Sequence, residues 1–231
     1  MKTIGLIGGL SWESSIEYYR IINETVRERI GGLHSADCLM YSFNFAEIEA
    51  LQAAGDWETA SHRMIAAARQ VERGGAECLI ICSNTMHRMA DDVQNAVDIP
   101  LIHIADATAE AIKKQGMSTI GLLGTRYTME QDFYKGRLEN RHDLNVVIPD
   151  DDGRTIVHDI IYNELVQGEV NETSREKYQA TIQQLVEHGA EGIILGCTEI
   201  ELLISKPEHS PVPTFPTTQI HAIAAVDWAL E

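Results

Sequence analysis

The chain has 231 residues, of which 44% are hydrophobic and 23% charged, a length that fits one large domain or two small lobes and a composition typical of soluble globular proteins. Its formal net charge of −17 argues against nucleic acid, whose phosphates are bound by clustered Lys and Arg, and against an anionic membrane surface. A small acidic substrate stays open, because local charge decides that.

The N-terminal run Thr3–Ile7, closed by Gly8-Gly9, predicts a buried strand rather than a signal peptide. Glu13 to Ile30 carries apolar residues at Ile16, Tyr19, Ile22, Val26 and Ile30, a helical stripe expected to face the core, and Gly31-Gly32 ends it. Asp37–Ser42 predicts a second strand, Trp57–Arg73 a helix, Glu77–Cys82 a third strand and Pro100–Ile104 a fourth. Strands alternating with helices predict an α/β fold with parallel sheets flanked by helices on both faces. No apolar stretch is long enough to span a bilayer. The four cysteines, Cys38, Cys78, Cys82 and Cys197, show no Cys-x-x-Cys spacing and no His cluster beside them. A chain this long needs no disulfide staple, so a reducing, cytoplasmic compartment is expected.

The pattern then repeats. Thr3-Ile4-Gly5-Leu6-Ile7-Gly8 returns as Thr119-Ile120-Gly121-Leu122-Leu123-Gly124, an offset of 116 residues. Gly75-Ala76-Glu77-Cys78-Leu79-Ile80-Ile81 returns as Gly189-Ala190-Glu191-Gly192-Ile193-Ile194-Leu195, an offset of 114. A weaker echo links Val97-Asp98-Ile99-Pro100 to Ser210-Pro211-Val212-Pro213, an offset of 113. Three matches in one order predict two pseudo-symmetric lobes. Residues 1–97 with 211–231 form the expected N-terminal lobe, and 98–210 the C-terminal lobe. The last helix, Ile220–Leu230, is expected to return to the first lobe.

Ligands of open parallel sheets bind beyond the carboxyl ends of the strands. The first lobe's third strand runs into Ser83-Asn84-Thr85, and its repeat runs into Gly196-Cys197-Thr198-Glu199. The 114-residue offset aligns Ser83 with Cys197 and Asn84 with Thr198. The two strand ends are therefore expected on opposite walls of one cleft. Small polar residues at a helix start would offer backbone N–H groups to a carboxylate.

These residues resemble the aspartate/glutamate racemase superfamily over essentially the whole chain. The resemblance rests on Ile4-Gly5-Leu6-Ile7-Gly8-Gly9, Ser83-Asn84-Thr85, Leu123-Gly124-Thr125-Arg126-Tyr127-Thr128 and Gly196-Cys197-Thr198-Glu199 in this order. It implies two Rossmann-like lobes with the active site between them, an amino-acid substrate, and neither pyridoxal phosphate nor metal as cofactor. It also allows a homodimer. In the family two cysteines flank the substrate α-carbon. The second acts on the L-enantiomer, which assigns Cys197 to that proton.

The chain departs from the family where the first cysteine should stand, at Ser83. A free thiol ionises near pH 8.5, whereas a serine hydroxyl stays protonated unless a base activates it. Ser83 is therefore expected to supply a proton, itself or through a held water, rather than remove one. Cys82 is one residue away, but that shift turns its side chain to the other face of the strand and into the core. Asn84, Thr85, Thr198, Thr125 and Thr128 are expected to contact substrate, with helix capping a compatible role. His87, one helical turn after Ser83, is read as structural, and Ser11 as a helix cap. Phe43–Gln52 and His158–Glu169 contain no Lys or Arg to hold a distal carboxylate. Arg126 is the nearest candidate and Gln52 a polar alternative, so a range of amino acids broader than the acidic ones is open. Two other readings stand beside racemisation: a superfamily decarboxylase using a single cysteine, and a non-catalytic amino-acid binder.

Overall fold

The computed structural model describes residues 1–231 as two compact units. Met1–Ile104 and Thr218–Glu231 form the first, and Ala105–Thr217 the second.

The first unit holds strands β1 (Ile4–Gly8), β2 (Cys38–Ser42) and β3 (Cys78–Ile81) in the order β2-β1-β3, all parallel. Helices α1 (Trp12–Ile30), α2 (Phe45–Ala54) and α3 (Trp57–Arg73) connect them. After β3 come a 3-10 turn (Thr85–Met89) and the short α4 (Ala90–Gln94). Side chains alternate across β1 as a strand requires. Ile4 and Leu6 join Tyr18, Ile22, Cys82, Ala222 and Val226 on one face. Ile7 joins Met64, Ala68, Leu79, Ile81 and Met86 on the other. At Gly5 a Cβ would lie 2.5 Å from Val71 Cγ1, so the glycine is what lets α3 pack this close.

The second unit begins in α5 (Ile104–Lys114) and holds β4 (Thr119–Gly124), β5 (Asn145–Val147), β6 (Gly192–Gly196) and β7 (Thr214–Pro216). Its parallel sheet has the order β5-β4-β6-β7. Helices α6 (Arg126–Glu130), α7 (Lys135–His142), α8 (Asp151–Asn163), α9 (Glu172–Glu187) and α10 (Ile200–Leu203) belong to it, and the chain leaves through α11 (Thr217–Leu230). Most of α11 lies in the first unit, where Ala222, Ala225 and Val226 pack on Ile4 and Leu6. There Lys2 N–H donates to Ala229 O at 2.9 Å, which brings the two ends of the chain together.

The sequence repeat is a repeat of hydrogen bonds. Glu77 N–H donates to Thr3 O, and Thr3 N–H donates back to the Glu77 carboxylate at 2.7 Å. Glu191 N–H donates to Thr119 O, and Ser118 and Thr119 N–H donate back to its carboxylate at 2.7 and 2.8 Å. Gly75 and Gly189 precede these glutamates with φ of 103° and 96°, a conformation that favours glycine. Leu79 N–H donates to Pro100 O, as Ile193 N–H does to Pro213 O.

Two expectations fail here. Pro100–Ile104 is not a strand but a single bridge, Leu79 to Leu101. Pro100 has no N–H to extend a ladder, and α5 already begins at Ile104. The stripe on α1 is not core throughout: Ile22 and Val26 are buried, but Ile16, Tyr19 and Ile30 are exposed by 52%, 54% and 45%. The buried face follows Ser14, Ser15, Tyr18, Ile21, Ile22, Thr25 and Val26 instead. Small Ser15 is used there because it lies under Gly8 and donates its hydroxyl to Ser11 O while accepting from Gly9 N–H at 2.8 Å.

Candidate active site

In each unit the candidate residue stands just beyond the carboxyl end of the strand that follows the glutamate. Ile81 is registered with Ile7 on β1, and two residues on stands Ser83. Leu195 is registered with Leu123 on β4, and two residues on stands Cys197. Within the second unit, β4 and β6 end in Gly124 and Gly196, where a side chain would meet the neighbouring strand. A Cβ on Gly196 would lie 2.7 Å from Leu123 O, and one on Gly124 would lie 3.0 Å from Gly196 O.

Cys197 is partly exposed by area. Its thiol donates to Glu199 Oε2 at 3.0 Å, and Thr198 Oγ1 donates to the same oxygen at 2.6 Å. Burial pushes the thiol pKa well up, and the adjacent Glu199 carboxylate pushes it further, because a second negative charge there is disfavoured. Thr198 is thus engaged with Glu199. Glu199 itself is buried, a cost met by the hydrogen bonds it accepts.

Ser83 is partly exposed, and its Oγ accepts the Met86 N–H at 3.4 Å. The nearby imidazole does not serve that hydroxyl. His87 Nδ1 lies 2.7 Å from the Ser83 carbonyl, which can only accept, so Nδ1 carries the proton. Nε2 then accepts the Ile104 N–H at 3.2 Å. His87 is a structural tie between the Ser83 turn and the start of α5. Asn84 and Thr85 are buried beside it. Asn84 does not cap the turn that follows. Gln52, on α2, is buried and donates to Met86 Sδ at 3.0 Å, which places it against the residue whose N–H reaches Ser83.

Cys82 lies fully buried between Ile4, Leu6 and Ile80, and burial pushes its thiol far above the usual range. Cys38 and Cys78 are likewise pushed up by burial, to about 11 and about 12. All four cysteines are free. No cluster of three or more His, Cys, Asp or Glu side chains is placed to hold a metal ion.

Thr125 caps α6 by accepting the Thr128 N–H at 3.4 Å, and the two hydroxyls are 3.3 Å apart. Thr128 is fully buried. Arg126 is drawn into an acidic surface network. Its guanidinium donates to Glu130 at 2.7 Å, to Asp151 at 3.3 Å and to Thr155 at 2.6 Å. A carboxylate ligand would have to compete with two protein carboxylates for it.

Sequence reasoning named Glu199 only as part of the Gly-Cys-Thr-Glu turn and gave it no task. Its signal was present: a carboxylate two residues after a cysteine at a strand end can fold back onto the sulfur.

A duplicated parallel α/β unit with a thiol–carboxylate pair at one strand end and a hydroxyl at the equivalent end of the other defines the class. The chain belongs to the Asp/Glu/Hydantoin racemase family, whose model matches residues 7–225. It is 55% identical to a provisionally assigned Asp/Glu racemase from Yersinia pestis of known structure, with all of both chains covered and a TM-score of 0.95. An aspartate racemase homologue from Pyrococcus horikoshii OT3 is 38% identical, again over all of both chains, with a TM-score of 0.87. Among curated proteins, glutamate racemase of Persephonella marina is 26% identical over 131 residues, 56% of this chain and 48% of that one. The chain thus spans about half the length of that curated relative.

Proposed function

We propose that this protein racemises an amino acid without a cofactor, with Cys197 removing the α-proton of the L-enantiomer and the Ser83 side supplying the proton that inverts it. The observation that carries this reading is the pair of equivalent strand ends. Both units carry a proton-bearing side chain two residues past an equivalent pair, Ile7 with Ile81 and Leu123 with Leu195. Only one of the two, Cys197, has an acceptor for its proton in place. In this reading Ser83 and Cys197 act on opposite faces of one α-carbon, and Asn84, Thr85, Thr125, Thr128 and Thr198 surround the substrate. Aspartate and glutamate are the first candidates, because the family and the named relatives carry those substrates in their descriptions. With Arg126 already shared by Glu130 and Asp151, neutral side chains at Gln52 are equally open.

The test is α-deuterium exchange in D₂O, run separately on L- and D-amino acids with acidic, amide and neutral side chains. The expected result is exchange from L-substrates that outruns inversion, and weak exchange from D-substrates. No exchange from any amino acid, with binding retained, would favour a binder instead. One observation favours a second reading. The Ser83 hydroxyl meets a backbone N–H rather than a base, which suits a decarboxylase that needs a single cysteine to protonate a carbanion. CO₂ release from a malonate-type acid, without amino-acid exchange, is the outcome that selects it.

A further inference from the structure

Resting on the reading just given, we infer that His158 is a positioning residue for the substrate turn of the second unit, gripping the Arg126 N–H with a neutral imidazole. That turn follows β4 and carries Thr125 and Thr128, two of the residues read as substrate contacts. Arg126 is the first residue of α6, so its N–H has no carbonyl within the helix to receive it. His158, on α8, supplies the acceptor: Nδ1 takes that N–H at 3.3 Å. Thr155, three residues earlier on the same helix, takes the Arg126 guanidinium at 2.6 Å. Helix α8 therefore holds one residue of the turn by both its backbone and its side chain. Two rings flank the imidazole, Tyr162 one helical turn on with centroids 4.7 Å apart and Tyr127 of α6 at 6.5 Å.

The far end of the turn is held differently. A Cβ on Gly196 would lie 3.3 Å from Thr128 Cγ2, so Thr128 packs against the residue before Cys197. Packing fixes the Thr128 end, and His158 fixes the Arg126 end. Nδ1 can accept only while it carries no proton, which puts the hydrogen of the neutral ring on Nε2. A second proton would turn the acceptor into a donor facing the Arg126 N–H, and would add charge beside the guanidinium. The groups acting on the ring come from both helices: Asp159 on α8, with Arg126 and Glu130 on α6. The phenols of Tyr127 and Tyr162 flank it, and Tyr178 of α9 donates to the neighbouring Val157 O at 3.0 Å. Burial holds the His158 pKa below the usual 6.5, against the pull of Asp159, and Arg126 lowers it further while Glu130 opposes. The grip is thus complete above pH 6.5 and lost as pH falls through that lowered pKa.

The experiment measures KM for the best L-substrate of the exchange panel from pH 8 to pH 5, in native protein, His158→Asn and His158→Leu. Asn offers a carbonyl that accepts but does not titrate, and Leu offers no acceptor. Taking the ratio of native to His158→Asn at each pH cancels the other titrations. That ratio should rise about tenfold as pH falls, the scale of one buried donor left unpaired, with kcat changed less than about threefold. His158→Asn should keep the native KM at pH 8 to within about threefold, whereas His158→Leu should show the raised KM at every pH. Deuterium exchange of the Arg126 amide, followed by NMR and corrected for its intrinsic pH dependence, reads the grip directly. Protection should be lost in native protein at low pH, kept in His158→Asn and missing in His158→Leu. If the Leu variant fails to fold, the native and Asn profiles decide. A native KM that tracks the Asn variant at every pH overturns the inference, as does a folded Leu variant with native KM at pH 8. Native protein that exchanges no amino acid sinks the racemase reading alone. Arg126 protection then decides the grip: loss only in native protein at low pH upholds it, and equal protection in native protein and His158→Asn throughout overturns it.

Discussion

Cys82 and Ser83 are neighbours in sequence, yet one is sealed in the core and the other reaches solvent. That difference makes the thiols separable by mutation. Cys197→Ala is expected to abolish exchange from L-substrates, while Cys82→Ala keeps most of it and loses only packing. Exchange assays on the two variants check this, and a dead Cys82→Ala protein that is still folded would reverse the assignment. Ser83→Cys is expected to raise D-substrate exchange by about 10²-fold, because it adds a base where a hydroxyl met only the Met86 N–H. Inversion itself cannot be made one-way, since the enantiomers have equal free energy. Exchange with retention carries no such constraint, so it is the quantity to measure. The burial of Cys82 was legible from the alternation of a strand. The spacing of Glu199 two residues after Cys197 carried a signal for their contact, but the dihedrals of the tight turn decide which side chain folds back, and residue order does not record them.

At the scale of elements, helix α11 is held to its unit by a buried histidine. His221 Nε2 lies 2.7 Å from Ile102 O, an acceptor only, so it carries the proton. Nδ1 then accepts from the Tyr18 hydroxyl at 2.8 Å, which ties α11 to α1. Burial lowers the His221 pKa to about 4 from 6.5. Between those values the unfolded chain binds more protons than the folded one. The stability that neutral His221 permits is thus complete above pH 6.5 and lost as pH falls toward 4, about 3 kcal/mol in all. Thermal unfolding at pH 7 and pH 5 should show a smaller acid loss in His221→Gln than in native protein, and equal losses would refute the role. Elements read well from the sequence where one signal dominated. Helix α3 was legible over Trp57–Arg73 because its apolar face is single and Asp56 caps it, accepting the Thr59 N–H at 3.1 Å. Helix α1 was misread because its apolar residues fall on two faces, and periodicity alone cannot tell which one meets the sheet.

Across the whole molecule, the repeat was legible because backbone demands repeat with it. A glycine at positive φ, a glutamate that clasps the start of the neighbouring strand and a proline carbonyl that receives the next N–H recur in both units. The point at which the chain passes from one unit to the other was harder to see. Packing decides it, and α5 and α11 each straddle a crossing.

The bond from Lys2 N–H to Ala229 O sets two segments far apart in sequence side by side. The order in which the segments of the first unit are joined is one of several that could make the same contacts. A circular permutant makes the consequence measurable. A short Gly/Ser linker would join Glu231 to Met1, and new ends would open at Gly168-Glu169, an exposed turn where φ is 77° at the glycine. The permuted chain should keep native circular dichroism and a cooperative thermal transition. Loss of both would mean that the native order of the segments guides folding. Retention would mean that the second unit, now split between the two ends of the chain, assembles as readily as the first unit does from its own two segments.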